Sequence, residues 1–189
     1  TSAEDTNNIY GYLSAFNSNG FTVSTGTSNA GRTNETSDNY VAWCWDAGGS
    51  TVTNTNGTIN SQVRANPSTG FSIVTYTGAG SVATIGHGLG VAPKMIIMRI
   101  VNDASAWVVY HVSTGNGGIL QLQSTAGYAA YADMFNNTTP TSSVFTIGTN
   151  ATVNRGAGYT NLAYCFADVT GYQKIGSYTG NGSTTGPTV

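Results

Sequence analysis

Charge is what this chain has least of. Of its 189 residues only 7% are Asp, Glu, Lys or Arg, against roughly a quarter in an ordinary soluble domain. Six Lys and Arg spread over the whole length cannot neutralise a run of phosphates, so a nucleic-acid partner is excluded. No basic stripe flanks an amphipathic helix that would hold an anionic membrane surface. Long hydrophobic runs are missing as well. A membrane-spanning helix needs about 20 apolar residues, whereas blocks such as Met95–Met98 are strand-sized, so membrane insertion is not expected. Two cysteines, Cys44 and Cys165, are too few for a disulfide framework and read as two free, buried thiols. Glu, Lys, Arg and Leu, the residues that favour helix interiors, are scarce throughout.

The chain holds 29 Thr, 25 Gly, 19 Asn and 18 Ser, nearly half of its length. With 39% hydrophobic and 11% aromatic residues there is apolar surface enough for a core, which excludes a disordered chain. Val, Ile, Thr and aromatics gather in short blocks separated by Gly- and Asn-rich turns such as Asp46-Ala47-Gly48-Gly49 and Gly115-Asn116-Gly117-Gly118, the pattern of an all-β protein. The blocks predict strands at 20–25, 39–45, 58–64, 70–77, 94–101, 106–112, 118–123, 143–149, 160–166 and 173–179. Many short strands with frequent turns predict an antiparallel β-sandwich of jelly-roll type.

An internal echo organises the chain. Gly20-Phe21-Thr22-Val23 followed by Asn39-Tyr40-Val41-Ala42-Trp43-Cys44-Trp45 is matched by Val144-Phe145-Thr146-Ile147 followed by Thr160-Asn161-Leu162-Ala163-Tyr164-Cys165-Phe166, and Thr75-Tyr76-Thr77-Gly78-Ala79-Gly80 by Ser177-Tyr178-Thr179-Gly180-Asn181-Gly182. The expectation is a duplication, with a first module and N-terminal extension over 1–143 and an incomplete second repeat, packing with the first, over 144–189. Thr1, with no basic-then-apolar leader before it, reads as the start of a portion of a longer polypeptide. The unfinished repeat would leave a strand edge open to a neighbouring chain, predicting self-association.

Chemistry-bearing motifs are few. The stretch Gly78–Pro93 (GAGSVATIGHGLGVAP) has neither the Gly-Lys-[Ser/Thr] of a phosphate loop nor dinucleotide spacing, and reads as a tight crossover before the strand at 94–101. His87 and His111 share a metal only if the fold brings them to a carboxylate such as Asp103 or Asp133, a version best suited to the axis of a trimeric fibre; the plainer reading of His87 is a hydrogen-bonding strut. The acidic residues are dispersed singly apart from Glu4-Asp5, and no Gly-x-Ser-x-Gly elbow is present, so no catalytic residue and no cofactor are assigned. Trp43 and Trp45 fall on one face of their predicted strand and read as packing a sandwich interior or a subunit interface. The aromatics in less regular segments, Tyr128 and Tyr131 with Trp107 third, are the candidate glycan contacts.

The blocks Tyr40–Gly49 (YVAWCWDAGG), Gly70–Gly80 (GFSIVTYTGAG), Ala83–Met98 (ATIGHGLGVAPKMIIM), Trp107–His111 (WVVYH), Pro140–Gly148 (PTSSVFTIG) and Leu162–Gly182 (LAYCFADVTGYQKIGSYTGNG) resemble β-rich modules in tail-fibre and other virion structural proteins of marine bacteriophages, often found beside concanavalin-like or laminin-G-like domains. The resemblance implies a location on the virion surface, a sandwich unit, homo-oligomerisation, contact with other virion proteins, and a host-surface polysaccharide as ligand. It carries no catalytic residue. A tail-fibre or appendage module is therefore expected, with a capsid-decoration or filament subunit as the alternative and a glycan-cleaving enzyme third.

Overall fold

The computed structural model describes residues 9–28, 31 and 33–188; Glu4-Asp5 and the terminal Val189 lie outside them. The described residues form two compact units, one up to Trp45 and one from Asp46 onward.

The first unit carries β1 (Tyr12–Asn17) and β2 (Gly20–Ser24), an antiparallel hairpin turned over Ser18 and Asn19. No described residue between 9 and 45 belongs to the buried apolar set.

The second unit holds β3 (Val52–Asn54), β4 (Ser61–Asn66), β5 (Phe71–Tyr76), β6 (Ala83–Gly86), β7 (Met95–Ile100), β8 (Val108–His111), β9 (Gly115–Gln121), β10 (Ala129–Ala130), α1 (Ala132–Phe135), β11 (Val144–Ile147) and β12 (Asn161–Phe166). Eight strands make one sheet in the order β10-β9-β8-β7-β12-β5-β4-β3, with every neighbouring pair antiparallel. Successive side chains on a strand point to opposite faces, and the registers carry that alternation across the sheet. Val63, Val74, Ala163, Met98 and Val108 therefore form one continuous row, buried throughout. Over this row lies a second, smaller layer, the antiparallel pair β6–β11 with α1. Ile85, Phe145 and Ile147 from the pair and Met134 and Phe135 from the helix complete the core. The fold is an all-β antiparallel sandwich, as the composition requires, with two layers of very unequal size.

Buried polar groups fix the loops to this frame. The Asn154 side chain is 1% exposed; its amide donates to the carbonyls of Ser81 and Gly148, and its oxygen accepts from the amides of Ala79 and Gly80. Asn161 similarly donates to Arg155 O and Tyr76 O while accepting from Arg155 N. Each buried amide is satisfied, without which its desolvation would cost about 1–3 kcal/mol.

Several expectations need correction. Residues 39–45 and 173–179 form no strand: the aromatic-Cys-aromatic block at 161–166 lies between β5 and β7 and pairs on both sides, whereas the block at 40–45 has no ladder partner. The matched blocks thus take different structures. The division of the chain falls between Trp45 and Asp46, not at 143/144, because β11 and β12 are built into sheets with β6, β5 and β7. An open edge at the C-terminal repeat is absent among the described residues. That segment is crowded with glycine and makes the single bridge Val169↔Gln173, while the edges of the large sheet are the three-residue β3 and the two-residue β10, short as edge strands are when they discourage pairing. Gly78–Pro93 is more than a crossover, since it contains β6. Both cysteines are free, but only Cys165 is buried and Cys44 is exposed.

Candidate functional site

The small layer covers one face of the eight-stranded sheet. The other face has only a partial cover, in which Ala47 and Ile175 pack against Phe71, Phe166 and their neighbours. Alternation places on it the row Arg64, Ile73, Tyr164, Ile97, Val109 and Leu120, each directly opposite the next. Tyr164 is the centre of this face. Its ring lies nearly parallel to Phe71 on one side (6.2 Å, 16°) and to Trp107 on the other (6.4 Å, 13°). The Arg99 guanidinium sits 4.8 Å above the Trp107 ring, a cation–π contact that holds the indole in place. Tyr164, Trp107, Ile97, Ile73 and Leu162 are half-buried, which is high exposure for apolar groups in mid-sheet.

Of the three candidate glycan contacts, the fold brings two to this face. Trp107 is anchored as described, its carbonyl accepting from Leu122 N and its amide donating to Gln123 Oε1. Tyr128 reaches the same face because the next residue, Ala129, packs into the core. Its ring covers Gly118, where a β-carbon would stand 2.6 Å from the Tyr128 ring and 2.1 Å from Ala129 O, so only glycine fits beneath it. Tyr131 does not join them; it sits at the N-terminal end of α1, where its amide donates to Gly117 O. Tyr164 and Arg99 were missed by sequence reasoning. Both sit inside strands, and only the register reveals which strand residues face outward together.

The remaining candidates are tied up in structure. His87 is fully buried; Nε2 donates to Thr141 O at 3.1 Å and Nδ1 accepts from Leu89 N at 3.2 Å, the strut expected of it. Burial holds its pKa below the ordinary value, against a smaller opposing effect of the Thr141 carbonyl. His111 Nδ1 accepts from Ser113 N, and among the described residues no three His, Cys, Asp or Glu side chains converge as metal ligands would. The second unit's carboxylates hold loops: Asp46 accepts from Gly48 N and Asn66 Nδ2, Asp103 pairs with Arg155, Asp133 accepts from Asn150 Nδ2 and Asp168 from Ile175 N. A depression of about 480 Å³ is lined by the single loop Asp168–Lys174. Trp43 and Trp45 are 78% and 51% exposed, so they do not pack a sandwich interior. No helix among the described residues is long and apolar enough to cross a membrane.

No curated protein and no solved structure matches the chain. One family model does, over residues 1–189, described as a domain of unknown function (DUF7483), and the chain belongs to that family.

Proposed function

Starting from this membership, which carries no activity with it, we propose that the chain is a non-enzymatic structural module of a phage virion. It sits in a tail fibre or comparable appendage on the particle surface, and its half-open sheet face contacts a host-surface polysaccharide. The observation that carries the glycan half is the face itself: Trp107 and Tyr128 lie on it immediately before β8 and β10, and the Tyr164 ring lies between those of Phe71 and Trp107. Aromatic faces stack on the apolar side of a sugar ring, and the surrounding Thr, Gln and Arg groups donate and accept hydrogen bonds to its hydroxyls. The virion half rests on the resemblance to phage tail-fibre modules and on low charge. The engagement of each Asp of the second unit in a loop contact favours a structural over a hydrolytic role.

Retention of the purified chain on host cells or on their isolated surface polysaccharide tests this. Trp107→Ala and Tyr128→Ala should each weaken retention about tenfold or more, as loss of a stacking aromatic does. Retention equal to the unsubstituted chain in both variants, with folding intact, would remove the sheet face as the site. A second reading, a decoration or filament subunit, is favoured by the exposed aromatics of the first unit. Copy number in a reconstruction of the native particle separates the two: few copies at a tip for attachment, a dense coat or continuous filament for decoration.

A further inference from the structure

Asparagine followed by glycine occurs at Asn19-Gly20, Asn56-Gly57, Asn116-Gly117 and Asn181-Gly182. Such a pair is open to rearrangement, because the glycine amide has no β-carbon beside it to obstruct its attack on the asparagine side-chain carbonyl. The fold holds the first three in place. Gly20 is the ladder partner of Asn17 and closes the β1–β2 hairpin. Asn56-Gly57 is clamped on both sides: Asn56 N donates to Asn54 Oδ1, the amides of Thr58 and Thr84 each donate to the other's hydroxyl, and a β-carbon on Gly57 would collide with Thr84 O. Asn116 lies within β9, its Nδ2 donating to Thr139 Oγ1 at 2.8 Å while Gly117 O accepts from Tyr131 N. Asn181-Gly182 differs. Asn181 is exposed and lies in no strand or helix, and among the described residues the hydrogen bonds of 176–188 run only between members of that segment.

We infer that Asn181 is a site of spontaneous covalent modification, at which the side-chain amide is lost and an aspartyl or isoaspartyl residue remains. Asn181 Oδ1 accepts from Ser183 N at 2.9 Å, an Asx turn. The turn contains both Asn181 Cγ and Gly182 N and so keeps the reacting atoms close. Its N–H also points at the oxygen on which negative charge develops. Asn54, Asn66 and Asn150 make the same turn, but the residues that follow them are Thr55, Pro67 and Ala151. Thr55 and Ala151 carry a β-carbon, and Pro67 has no N–H to give up. Among the described residues the turn and the following glycine coincide at Asn181 alone. In the reaction Gly182 N bonds to Asn181 Cγ, the Cγ–Nδ2 bond breaks, and Nδ2 leaves as ammonia with the proton lost by Gly182. Water then opens the cyclic imide. Attack at Cγ gives aspartate, and attack at the main-chain carbonyl carbon gives isoaspartate, whose backbone runs through the former side chain. No electrons are exchanged, and water is the one co-reactant. Either product adds a negative charge to a chain of net charge −2, within a stretch, 176–188, that otherwise holds no charged residue.

The test incubates the full native chain in mildly alkaline buffer and follows its tryptic peptides by mass spectrometry. Cleavage after Lys174 releases residues 175–189, in which Asn181 is the sole asparagine. That peptide should become about 1 Da heavier and split into isoaspartyl and aspartyl forms. The change should run about tenfold or more faster than at Asn56 or Asn116, located by fragmentation of their own peptides. Unfolding the chain in guanidinium should remove this difference, because the fold is what protects the other sites. Gly182→Ala should slow the reaction about tenfold or more in the native and the unfolded chain alike, since the added β-carbon stands beside the attacking nitrogen in both. A native rate at Asn181 no higher than at Asn116, a heavier peptide that holds the aspartyl form alone, or an unchanged rate in Gly182→Ala would each overturn the inference.

Discussion

The two units spend their apolar residues in opposite ways. Among the described residues, all 24 buried hydrophobic residues lie between Ala47 and Ala167, while ten of the nineteen exposed large ones lie between Ile9 and Trp45. Both stretches look alike in composition, with aromatics and β-branched residues in short blocks. What differs is the supply of neighbours. In the sheet unit β12 finds β5 and β7 on its two sides and the β6–β11 layer above; in the hairpin unit β1 has β2 alone. Hydrophobic residues become core only where backbone pairing brings several elements to the same side, and otherwise they stay at the surface.

The widest expected contrast between the units is in thiol chemistry. Burial pushes the Cys165 thiol up to about 12, the facing Ser72 hydroxyl opposing, so its thiolate fraction falls about a thousandfold below that of an ordinary thiol. An aromatic disulfide reagent should titrate one cysteine, Cys44, in the native chain and two after denaturation; two rapid equivalents in the native state would mean the sheet opens. Next come the two phenylalanines. Phe145→Ala empties a site that is 1% exposed and packed edge-on against Tyr76 at 6.3 Å, and should cost about 3–5 kcal/mol in urea unfolding. Phe16→Ala should cost under about 0.5 kcal/mol. Similar costs for the two would erase the distinction between the units.

A smaller loss, about 2–3 kcal/mol, is expected from Asn154→Ala, which leaves two carbonyls and two amides of buried loops without their partner. The transition should remain cooperative, since the strands themselves are untouched. The mildest effect is pH-dependent. His87 is held neutral by burial, with its folded pKa depressed, so the unfolded chain takes up the proton first as the solution is acidified. Stability is complete above about pH 6.5 and declines as pH falls toward the folded value, with a slope from this group of at most about 1.4 kcal/mol per pH unit. His87→Gln should flatten that part of the profile for the sheet unit, and an unchanged slope would assign the dependence elsewhere.

The strands of the sheet unit were legible wherever an apolar block was long enough to be buried. β5, β7, β8, β11 and β12 fall within blocks whose alternation is visible in the sequence. β1, β3 and β6 escaped notice because Ser, Thr and Gly interrupt them and a bulge at Ser14 breaks the period of two. The error at 39–45 has the opposite origin, since YVAWCW carries a better strand pattern than many true strands yet joins no strand ladder among the described residues. The site was legible only in part. Trp107 and Tyr128 stood out as aromatics in less regular stretches, but Tyr164, which spaces the rings of that face, looked like one more core residue.

The sequence by itself determined that the chain is all-β, that charge would play almost no part in its surface, and that His87 would be a built-in strut. These follow from composition and local pattern, which set propensity and the cost of burial whatever the topology. Only the tertiary structure decided that two blocks sharing an aromatic-Cys-aromatic pattern would end as a central strand and a segment outside any strand, which face of the sheet stays half-open, and where the chain divides. Those outcomes depend on which strands lie side by side, and pairing between residues as distant as Cys165 and Ser72 is a property of the whole chain that no short stretch contains.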